Sequence, residues 1–131
     1  MSRRCPCCSG LTYDKCCEPI LTGRKPPESP EKLMRSRFTA YSMRDVDYLV
    51  STTAEEERAK VDPDELAKYC KAVKCISLKV LKTEGSGPPD DTGTVLFHAS
   101  LVVNGKRMLH RELSRFKREN GRWMYVDGDT N

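Results

Sequence analysis

The spacing of apolar residues predicts helices in the first half of the chain. Met34, Phe38 and Tyr41 recur at the i, i+4, i+7 spacing that places side chains on one face of a helix. Ser29 precedes this run and suits the capping position, where its hydroxyl accepts a hydrogen bond from a free backbone N–H. We therefore predict a helix that begins after Ser29 and runs, itself or through a continuation, to about Val50.

A second helix is predicted further along the chain by its start signals. Asp62 suits the capping position, Pro63 suits the first helical position, and Glu65 completes a capping-box pattern. The predicted buried stripe of this helix is Leu66, Tyr69, Cys70 and Val73.

In the second half of the chain the apolar period changes to two, which is typical of strands. The predicted strands are Cys75–Leu81, Thr94–Val103, Lys106–Arg118 and Arg122–Asp127, with a loop at Glu84–Gly93. Asn104-Gly105 and Asn120-Gly121 connect the last three strands, and Asn-Gly tolerates the positive φ of a tight hairpin turn. Helices followed by an antiparallel meander predict an α+β fold, with helices packed on one face of a curved four-stranded sheet.

Proline and glycine separate this predicted domain from the N-terminal segment. Within residues 18–30, one stretch of eight residues holds three prolines and a glycine, which excludes a continuous helix or a central strand. We predict an N-terminal module at residues 1–18, a linker at 19–30 and the α+β domain at 31–131. Because the linker shares few apolar groups with either side, the domain is expected to fold alone.

Cysteines are concentrated at the N-terminus, where five of the seven lie within the first 17 residues. No apolar run approaches the roughly 20 residues of a membrane helix, and the basic N-terminus lacks the apolar stretch of a signal peptide. We therefore expect a cytoplasmic protein, in which a cysteine cluster indicates metal ligation or redox chemistry. Cys70 and Cys75 are expected to be small buried apolar residues.

Four of the N-terminal cysteines form a metal-ligand pattern. Eight residues separate Cys5-x-Cys7 from Cys16-Cys17, and four thiolates complete a closed tetrahedral zinc site. A segment this short has almost no core, so the metal would hold it folded. Reactive redox thiols are the alternative interpretation.

The segment from Cys5 to Cys17, CPCCSGLTYDKCC, resembles the SEC-C motif, C-x-C-x-S-G-x-x-x-x-x-C-C/H. This zinc motif also forms the C-terminal tail of the SecA preprotein translocase. The resemblance implies contact with a ribosomal or protein-export partner. The motif usually has glycine where this chain has Cys8, a fifth thiol that we leave out of the ligand set.

Four further blocks resemble the YchJ-like family of bacterial proteins. They are LMRSRFTAY at 33–41, DYL at 47–49, ELSRF at 112–116 and GRWMYVDG at 121–128. The resemblance implies a SEC-C module joined to a nuclear transport factor 2-like domain, a cone-shaped α+β fold. Many relatives also carry a second SEC-C motif and a Trp-His pair; this sequence lacks both, and Thr52-Thr53 stands near the place of the pair.

Hairpin geometry predicts which side chains share the apolar face of the sheet. Two-residue turns place Leu101 opposite Met108, Ala99 opposite His110, Phe97 opposite Glu112, Val95 opposite Ser114, Phe116 opposite Tyr125 and Ser114 opposite Asp127. His110, Glu112, Ser114 and Asp127 should therefore lie on the face that meets the helices.

Polar groups on an apolar face need partners. Arg35 and Arg37 on the first helix are the candidates, since a guanidinium can satisfy a carboxylate. One interpretation is a small-molecule pocket in which Glu112 and His110 transfer protons. The other is a structural ion pair between Glu112 and an arginine.

The opposite face of the sheet is predicted to be basic and apolar. Its residues are Arg107, Arg111, Arg115, Lys117, Leu96, Val102, Leu109, Leu113 and Val126. The net charge is +4, and residues 1–44 carry nine basic and four acidic groups, so nucleic acid or an acidic protein is a candidate partner. For the basic and apolar sheet face, a homodimer is the preferred interpretation.

These patterns predict a non-catalytic, zinc-dependent interaction module on a small folded domain. The alternative is a small-molecule-binding protein or an enzyme that uses the pocket. The sequence favours the first, because a glutamate and a histidine without a nucleophile or a cofactor motif are weak evidence for catalysis.

Overall fold

The computed structural model describes residues 3–85 and 91–130. The helical elements are a 3-10 turn at Tyr13–Lys15, α1 Glu18–Leu21, α2 Pro30–Met43, α3 Val46–Ser51, α4 Glu55–Arg58 and α5 Pro63–Ala72. The strands β1 Val73–Glu84, β2 Thr92–Val103, β3 Lys106–Glu119 and β4 Arg122–Thr130 form one antiparallel sheet in the order β1-β2-β3-β4. The predicted α+β class is confirmed. Among the described helices, none has the length and apolarity needed to cross a membrane.

α2 begins where the sequence predicted but ends earlier. The Ser29 side chain accepts a hydrogen bond from a backbone N–H in the first turn. Arg44 then adopts the left-handed conformation, with φ 59° and ψ 37°, and a single residue in this conformation commonly ends a helix. The predicted run to Val50 is therefore divided into two helices. The second, α3, has its own cap at Asp45.

α5 starts at its predicted residues. The Asp62 side chain accepts hydrogen bonds from the backbone N–H groups of Asp64 and Glu65, and Pro63 occupies the first helical position. The chain passes directly from α5 into β1. Val73, which the apolar stripe assigned to the helix, is therefore the first residue of β1.

The hairpin between β2 and β3 has the predicted register. The observed pairs are Leu101 with Met108, Ala99 with His110, Phe97 with Glu112 and Val95 with Ser114. Asn104 and Asn120 have φ of 51° and 53°, and the glycine that follows each also has positive φ. The Asn-Gly turns fix this register because both central residues accept the left-handed backbone.

The strands are longer than predicted at one or both ends. β1 continues to Glu84 and β2 begins at Thr92, so strand residues occupy both ends of the predicted loop Glu84–Gly93. Residues 86–90 of that loop lie outside the described residues.

The pairing of β3 with β4 departs from the prediction at a bulge. Phe116 pairs with Tyr125 as predicted, but the next residue of β3, Arg115, pairs with Asp127. β4 thus advances two residues while β3 advances one. The extra residue, Val126, turns every later side chain of β4 to the other face. The predicted pair of Ser114 with Asp127 is therefore wrong; Gly128 lies opposite Ser114.

The core lies between α2 and the concave face of the sheet. Its buried apolar residues include Leu33, Met34, Phe38, Val95, Phe97, Ala99, Leu101 and Phe116. Met108 was predicted to join them, but 53% of it is exposed. It lies close to the hairpin turn, at the end of the sheet.

The N-terminal segment packs against the same core. Cys5, Cys7 and Cys17 belong to the apolar cluster that contains Leu33. α1 begins at the last residue of the predicted module and continues into the predicted linker, where its Ile20 is buried. The expectation that the linker shares few apolar groups with its neighbours is therefore wrong. The division into module, linker and domain stays a prediction.

Residues 52–54 cover the free edge of β4. The Ala54 N–H donates to the Tyr125 carbonyl at 2.7 Å, and the Tyr125 N–H donates to the Thr52 carbonyl at 2.8 Å. Thr53 and Tyr125 form a parallel bridge. This pairing fixes the segment after α3 next to the concave face.

We predict that a chain beginning at Ser29 unfolds cooperatively, but at a lower temperature than the full chain. It keeps α2 to α5 and the whole sheet, yet it uncovers Leu33 and Thr39, which are fully buried. Each kcal/mol lost should lower the melting temperature by about 4–8 °C. Thermal unfolding followed by circular dichroism measures the difference. A shortened chain without a cooperative transition would contradict the predicted domain boundary.

Candidate functional site

A small hairpin brings the two cysteine pairs together. Arg4 and Thr12 form an antiparallel bridge, and the Cys5 N–H donates to the Leu11 carbonyl at 2.9 Å. The 3-10 turn follows directly, and Cys16 and Cys17 stand at its end. The eight residues between the cysteine pairs therefore form a turn that brings the second pair back to the first.

The four sulfurs of Cys5, Cys7, Cys16 and Cys17 form a compact cluster, which we call the thiol cluster. They all lie within 4.8 Å of one another. The Cys7 and Cys16 sulfurs are 3.6 Å apart, and those of Cys16 and Cys17 are 3.9 Å apart. Cys16 is half-buried and the other three are buried. The arrangement suits a metal ion held entirely by protein sulfur.

Polar groups around the thiol cluster contact its sulfurs and backbone. The Thr39 hydroxyl of α2 lies 3.4 Å from the Cys17 sulfur and 3.8 Å from the Cys5 sulfur. Ser9 Oγ lies 3.2 Å from the Cys16 sulfur. Sequence reasoning missed Thr39, because α2 also carries the hydroxyl residues Ser36 and Ser42 and no sequence signal distinguishes Thr39 from them.

The thiols hold one another in unequal protonation states. Hydrogen bonds with Cys17 and, to a smaller extent, with Cys7 lower the pKa of Cys5 below its ordinary value. The same contact with Cys5 raises the pKa of Cys17. A thiolate at Cys5 therefore opposes the ionisation of Cys17. A divalent cation would remove this conflict, because its charge favours the ionised form of every ligand.

Cys8 lies outside the thiol cluster. It is exposed, and its sulfur is 3.6 Å from the Pro6 carbonyl oxygen. Its φ is +64°, in the left-handed region that glycine enters without steric cost. The backbone thus accounts for the glycine that the SEC-C motif usually has at this position.

The concave face of the sheet, α2 and α5 enclose a cavity of about 270 Å³. Its lining is mainly apolar and aromatic, with residues such as Met34, Phe38, Tyr41, Tyr69, Phe97 and Ala99. Of the predicted pocket residues, Arg37, His110, Glu112 and Ser114 line it. Tyr125 also lines the cavity, although no sequence pattern indicated a functional role for it.

Glu112 is the centre of a hydrogen-bond network in this cavity. His110 Nε2 lies 2.9 Å from Glu112 Oε1. The Ser114 hydroxyl donates to Oε2, and the Tyr125 hydroxyl donates to the same oxygen at 3.2 Å. Burial, and then the negative charge of Glu112, raise the pKa of Tyr125 above its ordinary value, so its hydroxyl remains a donor.

The predicted partners of Glu112 are wrong. Arg35 binds Glu31 and donates to the Cys7 carbonyl, both at 2.9 Å. Arg37 donates to the Leu49 carbonyl at 2.9 Å and to Thr52 Oγ1 at 2.7 Å. The chain changes direction at Arg44, so α3 runs back toward Arg37. The Leu49 carbonyl of α3 then accepts a hydrogen bond from the Arg37 guanidinium.

Asp127 does not join the predicted pocket. The bulge in β4 places it on the outer face, where Arg115 Nε donates to Asp127 Oδ1 at 2.6 Å. Arg115 also binds Asp129, and Lys117 binds Glu56 and Glu119. Half of the basic side chains predicted for this face are therefore neutralised by neighbouring carboxylates.

Comparison with known protein families identifies the domain. The family model described as "YchJ, middle NTF2-like domain" matches residues 29–128. A UPF0225 protein of Corynebacterium glutamicum is 40% identical over 131 residues, which span 98% of each chain. The UPF0225 protein YchJ of Shigella dysenteriae is 38% identical over 128 residues, 98% of this chain and 84% of its own.

A solved structure extends the likeness to the N-terminal module. The solution structure of a SEC-C motif containing protein from Rhodopseudomonas palustris matches with a TM-score of 0.89 and 38% identity, over 97% of this chain and 98% of that chain. The predicted nuclear transport factor 2-like fold and the SEC-C resemblance are confirmed.

We predict that Cys8→Gly raises the free energy of unfolding and leaves metal binding unchanged. Glycine removes a left-handed side-chain penalty of ~1 kcal/mol, and the four clustered sulfurs stay in place. Chemical denaturation with and without metal measures both effects. Cys8→Ala is the matched control, because it removes the thiol but keeps Cβ and should gain no stability. Loss of metal from either variant would make Cys8 a ligand.

Proposed function

This chain belongs to the YchJ family, and on that basis we propose that its thiol cluster holds one structural zinc ion. The zinc-held module is then a non-catalytic contact surface for a ribosomal or protein-export partner in the cytoplasm. The observation that carries this proposal is the convergence of four cysteine sulfurs within 4.8 Å of one another.

The sulfur spacing supports zinc in particular. Zinc–sulfur bonds of about 2.3 Å in a tetrahedron place the sulfurs about 3.8 Å apart. The distances of 3.6 Å and 3.9 Å around Cys16 agree with that spacing. Soft thiolate ligands also select zinc over harder cations such as magnesium and calcium.

The closed ligand set supports a structural role. Four protein thiolates fill the tetrahedral shell and leave no position for water or a substrate. Thr39 donates to the Cys17 sulfur and the Ser9 hydroxyl contacts the Cys16 sulfur, as outer groups do when they orient metal ligands. Zinc would supply the folding energy that the N-terminal hairpin lacks.

The exposed side of the hairpin supports a partner surface. Arg3, Arg4 and Lys15 are exposed there, and Leu11, an apolar residue, is 54% exposed. A basic surface with an apolar tip suits an anionic partner such as ribosomal RNA or an acidic protein. The resemblance to the SecA tail points to the same partners.

We predict one zinc per chain and weaker zinc binding in Thr39→Val. Valine keeps the shape of threonine but removes the hydroxyl that contacts two sulfurs, so affinity should fall by about 10–100-fold. Elemental analysis gives the stoichiometry, and competition with a chromogenic chelator gives the affinity. Thr39→Ser, which keeps the hydroxyl, should remain close to wild type. Protein without zinc after reconstitution under reducing conditions would refute the zinc assignment.

We predict that Leu11 is needed for partner binding but not for zinc binding. Leu11→Glu adds charge to the exposed tip, so co-sedimentation with ribosomes, or recovery of export components, should fall at least about tenfold while zinc content is unchanged. Leu109→Glu, at a residue 66% exposed on β3, is the matched control. Equal losses in both variants, or none in either, would contradict a partner surface on the module.

A further inference from the structure

Glu112 is a largely buried carboxylate whose side-chain partners among the described residues include no lysine and no arginine. Its side chain is 14% exposed. Its hydrogen-bond partners, His110, Ser114 and Tyr125, can all donate while neutral. Within the described residues, neither lysine nor arginine forms an ion pair with it. A buried charge of this kind is costly unless a counter-charge approaches it.

Arg37 shares the cavity but is engaged elsewhere. It donates to the Leu49 carbonyl and to Thr52, in the last turn and at the C-cap of α3, where helix carbonyls carry partial negative charge. Its guanidinium also lies 4.4 Å from the centroid of the Tyr125 ring. The protein thus provides partners for this cation, whereas the described partners of Glu112 are two hydroxyl groups and an imidazole.

Glu112 also retains hydrogen-bonding capacity. An ionised carboxylate has about four acceptor positions, and three are taken by the contacts with His110, Ser114 and Tyr125. The two contacts from Ser114 and Tyr125 are both with Oε2. Among the described residues Oε1 has a single partner, His110, and it can accept from one more donor.

The rest of the cavity favours an organic cation over a hydrated metal ion. Aromatic rings from Phe38, Tyr41, Tyr69 and Phe97 line it, and ring faces attract ammonium groups. Within the described residues, the thiol cluster is the only group of three or more side chains placed to hold a metal ion. An engineered apolar cavity of about 150 Å³ accepts benzene, so the volume of about 270 Å³ admits a ring with a short amine arm.

We propose that this cavity binds a small organic ammonium ion, a primary or secondary amine carried on an apolar body. The ammonium group donates to Glu112 Oε1 and supplies the missing counter-charge, and the apolar body packs against Phe97 and Ala99. This site is separate from the thiol cluster and does not depend on the zinc proposal.

Calorimetric titration of the full, zinc-loaded chain with benzylammonium tests the proposal. Benzyl alcohol has nearly the same shape without the charge, and phenylacetate carries the opposite charge. We expect benzylammonium to bind at least tenfold more tightly than either. Equal affinities, tighter binding of phenylacetate, or no benzylammonium binding at millimolar concentrations would overturn the proposal, and these comparisons require no variant.

Two substitutions then locate the bound amine. Glu112→Gln should remove the preference for benzylammonium over benzyl alcohol. Glu84→Gln makes the same chemical change at an exposed residue of β1 and should keep the preference. Ala99→Leu fills the cavity and should weaken both ligands by a similar factor. A preference that survives in Glu112→Gln, or binding unaffected by Ala99→Leu, would place the amine elsewhere and overturn the assignment.

Discussion

The constraint on which the structure depends is that α2 must be covered on three sides. Helices at a protein surface usually bury one stripe and present the other to water, but eight of the 14 residues of α2 are buried. Phe38 packs in the core against the sheet, Thr39 contacts the cysteine sulfurs, and the Ser36 hydroxyl bonds with Tyr48 of α3. The thiol cluster, the cavity and α3 are therefore coupled through one rigid element.

Sequence reasoning succeeded where neighbouring residues determine the structure. The caps at Ser29 and Asp62 act within one helical turn, and the Asn-Gly turns fix a register that then extends along both strands of a hairpin. Cysteine spacing predicted the members of the thiol cluster, because a segment so short can bring its sulfurs together in few ways. Each of these features is local, so no tertiary information was needed.

The errors concern features that distant packing determines. The alternation around Tyr125 fits a regular strand, and only the pairing of β4 with β3 reveals the extra residue that moves Asp127 to the outer face. Likewise, the helical periodicity correctly predicted that Arg37 faces the cavity, but the hydrogen-bond partners of Arg37 come from α3 and its C-cap. That helix reaches Arg37 because α2 ends at Arg44, whose left-handed conformation changes the direction of the chain. Neither interaction leaves a signal in a single sequence.

The uncovered edge of the sheet affects how the molecule can associate. Residues 52–54 cover β4, which leaves β1 as the strand with no described neighbour on its other side. β1 has register shifts between Cys75 and Ser77 and between Val80 and Lys82, and it carries exposed lysines. Irregular, positively charged edges resist strand-to-strand pairing between molecules. Growth of the sheet into an intermolecular β-structure is therefore disfavoured, and the chain can keep an open sheet without polymerising through it.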